Sequence, residues 1–91
     1  MKQLSFTGAL EKDKDGTWWY VHVPKKIRQS LKHLEKWGMI PVIATIGKTN
    51  WEASLMPWAD GSAQLVVNKN IRAKENLDQG EKVQVYIQPR N

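Results

Sequence analysis

The sequence predicts a mainly β domain, a barrel assembled from two similar halves with a short helix in each. Three observations carry that expectation. Residues Val21-His22-Val23-Pro24-Lys25-Lys26-Ile27-Arg28 return 44 positions later as Leu65-Val66-Val67-Asn68-Lys69-Asn70-Ile71-Arg72. Each copy runs from a strand-like apolar stretch into a basic, helix-like turn, and each is followed by a glycine and an alternating strand, Gly38 to Ile46 and Gly80 to Ile87. A repeat on this scale points to two supersecondary units that bury each other's apolar faces. Finally, the chain divides into six or seven short alternating segments, and closing or splitting them into a barrel with helices over its ends also protects exposed strand edges.

Taken in order, Leu4, Phe6 and Leu10 alternate with polar residues as in a half-buried first strand. Asp13-Lys14-Asp15-Gly16 is a turn in which Asp-Gly supplies the residue that tolerates positive φ. Thr17 to Val23 sets Trp18, Tyr20 and His22 on one face and Trp19, Val21 and Val23 on the other, so the two strands are expected to form a hairpin. Pro24 suits a helix start, because its missing N–H would lack a partner there anyway. The helix is expected from Lys25 to about Trp37, with Ile27, Leu31 and Leu34 on one apolar stripe and Gly38 capping its end. Pro41 to Ile46 reads as a strand, Gly47-Lys48-Thr49 as a tight turn, and Asn50 to Met56 as the partner strand with Trp51, Ala53 and Leu55 on one face. Pro57 to Ser62 breaks the pattern and reads as a surface loop. Ala63 to Val67, a weaker helix from Lys69 to Asn76, and Lys82 to Gln88 with Val83, Val85 and Ile87 facing inward complete the series.

Ninety-one residues fit one domain over 1–91 with little core to spare, and the five tryptophans help to fill it. The absence of cysteine excludes disulfides, thiolate zinc sites and cysteine nucleophiles, and fits a cytoplasmic setting. No segment approaches the roughly 20 apolar residues of a membrane span, and Met1 to Phe6 lacks a signal-type run, so neither a membrane partner nor a leader is expected. Fourteen basic against nine acidic residues give a net charge of +5. That balance suits a polyanionic partner, and it suits plain solubility equally well.

The second repeat, Val66 to Arg72 through Leu77-Asp78-Gln79-Gly80-Glu81-Lys82-Val83-Gln84-Val85, resembles the half-barrel unit of the AbrB/MazE/MraZ superfamily, and Val21 to Arg28 resembles that unit's strand–proline–helix corner. Across nearly its whole length the chain is similar to the bacterial domain of unknown function 1905 family. The residues carrying that likeness are Phe6-Thr7-Gly8, Trp19 to Pro24, Thr45-Ile46-Gly47 with Trp51, Ser54-Leu55-Met56-Pro57, and Asp78 to Val83. The resemblance implies a double-split β-barrel with both halves in one chain, where AbrB-like proteins usually pair two chains. It implies no established biochemical activity. Members can sit beside a second domain of the YdeI/OmpD-associated type, expected to be absent from a chain of this length. One departure is Asn68, which stands where the first repeat has Pro24.

The basic helix face is the strongest functional cue. At about 100° per residue, Lys25, Arg28, Lys32 and Lys36 gather within an arc of about 80° opposite the apolar stripe, offset within the helix only by Glu35. Such a stripe can neutralise phosphates without reading bases. By resemblance to DNA-binding AbrB-like proteins it would join Lys69, Arg72 and Lys74 of the second unit. The plain alternative is the solvated side of an amphipathic helix.

Tryptophan is the second cue, since an indole can stack on a base or line a pocket. Trp19, Trp37 and Trp51 are expected to fill the core. Trp58, between Pro57 and Asp60-Gly61, is the best candidate contact residue, and with Trp51 it would line a pocket for a small molecule or peptide.

Catalysis is poorly supported. His22 and His33 could form a metal site only with carboxylates. Asp13 and Asp15 are neutralised by Lys12 and Lys14, and Gly47-Lys48-Thr49 lacks the preceding glycine of a phosphate-binding loop. The expected protein is therefore a non-enzymatic binding domain, monomeric or weakly oligomeric, without metal or cofactor. Its ligand would be nucleic acid or, alternatively, a small molecule or peptide.

Overall fold

In the computed structural model, which describes residues 3–90, the alternating segments form six strands: β1 (Leu4–Lys12), β2 (Trp19–Val23), β3 (Ile40–Ile46), β4 (Thr49–Pro57), β5 (Ala63–Val66) and β6 (Lys82–Pro89). Two helices, α1 (Lys25–Leu31) and α2 (Lys69–Glu75), follow β2 and β5. Met1 and Lys2, on which the expectation of no leader partly rests, lie outside the described residues.

The strands close in the order β1-β2-β5-β4-β3-β6, with every pairing antiparallel. Strand periodicity explains which residues go inside. Along β3, Ile40, Val42, Ala44 and Ile46 are buried while Pro41, Ile43 and Thr45 are only partly covered. Along β6, Val83, Val85 and Ile87 point inward, as their spacing predicts. Leu10, Val21, Val23, Leu55, Leu65 and Val67 complete the centre, and Leu31 and Ile71 of the two helices close it from outside the sheet. The Asp13–Gly16 turn joins β1 to β2 as a hairpin, and the Asp13 side chain accepts from the Thr17 and Trp18 N–H groups at 2.9 and 3.2 Å.

The first helix is shorter than its sequence pattern. It ends at Leu31, continues as a 3-10 turn over Lys32–Leu34, and gives way to extended backbone at Glu35. Tertiary packing overrides propensity here. Leu34 packs against the core, and Ile40, fully buried, must pair with Leu55, so the chain has to reverse within five residues. It does so through a two-residue hairpin in which Lys36 and Met39 exchange backbone hydrogen bonds of 2.7 and 2.9 Å. Gly38, at φ 77°, therefore belongs to this turn and does not cap the helix. Its neighbour Trp37, expected in the core, is 98% exposed. Trp19 and Trp51 do pack against the core.

Pro24 and Asn68 perform the same task by different means. Both precede a helix with extended backbone, Pro24 at φ −59°, ψ 152° and Asn68 at φ −74°, ψ 171°. The proline ring fixes its φ in advance. The Asn68 side chain instead accepts from the Ile71 N–H at 3.1 Å, satisfying one of the helix's free donors.

The turn at Gly47-Lys48-Thr49 is occupied by α2's last residue. Glu75 accepts from the Thr49 hydroxyl at 2.6 Å and the Lys48 N–H at 3.3 Å. Gly47 lies at φ 60°, and a Cβ there would run into the Glu75 carboxylate. The carboxylate ties α2 to the β3–β4 hairpin.

Asn68→Ala is expected to lower stability by about 1 kcal/mol, and Asn68→Asp by much less, since aspartate caps equally well. Gly47→Ala should cost at least about 1 kcal/mol, because it adds left-handed strain to the displacement of Glu75. Urea denaturation with an unchanged slope would measure each.

Candidate functional site

The surface loop and the first helix meet at one end of the β2–β5 ladder. Val23 pairs with Ala63, so the loop preceding β5 runs beside the start of α1. There Arg28 reaches across, its Nη1 donating to the carbonyls of Trp58 at 2.9 Å and Ser62 at 3.1 Å. The loop also closes on itself. The Trp58 N–H donates to the Ser62 carbonyl at 2.8 Å, and Asp60 Oδ1 accepts from the Ser62 N–H at 2.9 Å and hydroxyl at 2.6 Å. Ser62 is buried, so these bonds satisfy polar groups that water does not reach.

The Ser62 hydroxyl, then its N–H, hold the Asp60 carboxyl below the usual aspartate range, with smaller help from Lys25 and His22. A depressed folded-state pKa means that this contribution is complete above the ordinary aspartate value. It is lost as pH falls through the lower, folded value. The loop therefore keeps its carboxylate lock at neutral pH.

This bracing holds Trp58 partly exposed over the outer face of β2. Its ring lies 6.0 Å from Tyr20, tilted by 49°, and 5.9 Å from His22, edge-on at 81°. Tyr20 and His22 share that face because β2 alternates, as the sequence indicates. Between the indole and α1 lies an open cleft of about 350 Å³ lined by Arg28, Gln29, Lys32, Trp58, Ala59 and Gly61. The Lys25 stem passes Gly61 at the same end. The cleft thus offers two cations, an amide and an aromatic face together. Arg28 is only partly available to a ligand, since it holds two loop carbonyls and lies 3.9 Å from Glu35.

The other expected contacts are distributed elsewhere. Lys36 leaves the helix altogether and sits in the tight hairpin, lining a separate recess with His33, Glu35 and Arg90. Lys69 and Arg72 line a cleft of about 400 Å³ with Trp19 and Asp78. Because β2 and β5 are antiparallel, α1 and α2 start at opposite ends of their shared ladder, and the two basic groups do not form one patch. Arg72 lies over the Trp19 ring at 4.1 Å, joined by the Lys12 amine at 5.3 Å. This cation–π packing covers the indole and leaves Arg72 Nε buried without a hydrogen-bond partner among the described residues. Trp51, opposite Ala44 on β4, is half-buried against the core and does not line the Trp58 cleft.

Glu52 accepts from Arg90 at 3.0 Å, while His22 packs on Trp58. Among the described residues no three histidine or carboxylate side chains converge as a metal ion would require. No helix of the described residues is long and apolar enough to cross a membrane. Sequence reasoning missed the roles of Gln29, Tyr20 and His22 beside Trp58, although the last two were already assigned to one strand face with Trp18.

Arg28→Ala is expected to leave two loop carbonyls without their donor. Amide exchange at Trp58 and Gly61 should accelerate by about tenfold or more, since a charge-assisted bond contributes about 1.5–3 kcal/mol. Exchange in the β3–β4 hairpin should be unchanged.

No curated protein matches the chain significantly. A family model described as "Domain of unknown function (DUF1905)" matches residues 6–87, a span that includes part or all of each of the six strands and both helices. The matched span takes in the residues that carry the likeness to this family, from Phe6-Thr7-Gly8 through Trp19 to Pro24 to Asp78 to Val83, and the chain belongs to the DUF1905 family.

Proposed function

We propose that this barrel is a non-enzymatic binding module for polyanions, most concretely nucleic acid, working in the cytoplasm through the cleft between α1 and the Trp58 loop. One observation carries the reading: Arg28 and Lys32 share a cleft with a partly exposed indole held rigidly at its wall. Cations supply phosphate attraction, and an aromatic face supplies a surface for a flat base or ring. Lys25 at the same end adds charge, while Asp60 and Glu35 hold down the net potential and confine it to the Lys32 side. Lys69 and Arg72, at the opposite end, would act as a separate and weaker contact.

We read the barrel as AbrB-like and double-split. Exchanging β1, β2 and β3 for β4, β5 and β6 reproduces the strand order, which supports two equivalent halves. Val21 pairs with Leu65, its own counterpart 44 residues later, as a two-fold axis through that pair requires. In AbrB-like proteins two chains supply such halves, so this chain would carry an internal dimer and bind as a monomer or weak oligomer.

A second reading rests on the cleft's dimensions. A volume of about 350 Å³ lies at the small end of ligand pockets, which suits a small anionic aromatic molecule or one peptide side chain.

Gel shift with mixed DNA and RNA at low salt tests the main reading. Binding should weaken steeply with salt, at a log–log slope near −2 for about three phosphate contacts on a single strand. Lys32→Glu should abolish it without unfolding the domain. Arg28→Glu is a poorer probe, because it also releases the loop. Salt-insensitive binding of a small ligand, lost in Trp58→Ala, would favour the second reading and refute the first.

A further inference from the structure

We infer that Trp37 is a stacking platform for an unpaired base, so that the partner of the basic face is single-stranded nucleic acid and not a duplex. This rests on the polyanion reading and names its substrate class. The turn Lys36-Trp37-Gly38-Met39 is a two-residue hairpin with φ of 55° at Trp37 and 77° at Gly38. Positive φ at both central positions is the geometry in which asparagine, aspartate and glycine are favoured and a bulky side chain is an outlier. Elsewhere this chain obeys the rule. Among the described residues the other positive-φ non-glycine is Asn76, at the end of α2, and the remaining such positions are glycines. Trp37 is the exception, and the strain has no compensation in packing, since its side chain is 98% exposed. An indole offers roughly 150–250 Å² for burial, and here nothing in the fold uses it. Strain without structural return marks a contact residue.

Charge decides among partners. The tip follows directly on Lys32, His33 and Lys36, and the ion pairs among the described residues are Arg28–Glu35 and Arg90–Glu52. Glu52 accepts from Arg90 at 3.0 Å, and the Glu35 Oε2, 3.9 Å from Arg28, is buried, so the exposed charges that flank the tip are those of Lys32 and Lys36. Lys32 also lines the Trp58 cleft, so a strand gripped there continues along the 3-10 turn toward Trp37. The alternation of cations and aromatic faces fits a backbone with splayed bases. Paired bases hide the faces that Trp37 would need.

The test uses the intact chain with a short fluorescent oligothymidylate, a duplex of equal length, and phosphatidylserine-containing vesicles. Trp37→Asn is the informative variant, because asparagine is at home at this turn position and removes only the indole. The single strand should bind in preference to the duplex. Trp37→Asn should weaken single-strand binding by roughly 5- to 150-fold, leave duplex binding nearly unchanged, and keep or raise the thermal midpoint. Equal binding of both forms, unaffected by Trp37→Asn but lost in Lys32→Glu, would overturn this inference and leave the polyanion reading standing. Vesicle binding lost in Trp37→Asn, with no nucleic acid bound, would assign the tip to a lipid surface and overturn both. A lowered thermal midpoint would make Trp37 a structural residue and also overturn the inference.

Discussion

The fold depends on one insertion: β6 lies between β1 and β3, hydrogen-bonded to both. Without it the two edges of the sheet stay open, and Val85 and Ile87 leave a gap in the centre of the core. With it every strand has two neighbours, and no edge remains to template association with another chain. The helices then have fixed attachment points. Each follows a strand of the antiparallel β2–β5 ladder, so their positions are set by register more than by helix–helix contact.

That register explains why similar sequences have different surroundings. Arg28 and Arg72 occupy corresponding positions, yet one braces the carbonyls of a loop and the other lies on an indole. The loop before β5 has carbonyls turned toward α1, whereas the Asp13–Gly16 turn before β2 satisfies its own amides through Asp13. Trp19 then supplies the surface on which Arg72 rests. The α1 and α2 ends of the barrel therefore present unlike chemistry, and at the α1 end the indole at the cleft wall stands on a loop braced by Arg28 and Asp60.

Much of this was legible from the residues alone. Alternation located all six strands to within a few positions, because a half-buried strand must repeat every two residues and does so clearly in β3 and β6. Caps and turns were readable from Asp13-Gly16, Pro24 and Gly47 because each depends on local backbone geometry. The end of α1 was not. Residues 32–37 carry helical spacing, but the demand that Ile40 reach its place opposite Leu55 is non-local and outweighs it. Gly38 suits the second central position of a two-residue hairpin, but Trp37 is foreign to the first, so the pair reads more readily as a helix end with a glycine cap. For the site, the kinds of side chain were legible and their grouping was not. Trp58 and Lys32 come together, whereas Trp51, Lys36 and Arg72 separate, since barrel closure determines which ends of which elements meet.

The position of β6 also shapes how the polypeptide must reach its native state. Residues 82–89 cannot bond to both β1 and β3 until nearly every earlier segment has been synthesised, and pairs such as Leu4 with Ile87 span most of the chain. During translation the nascent chain would hold two unpaired sheet margins and an open apolar interior, making late ring closure the slow step and the period of greatest exposure to aggregation.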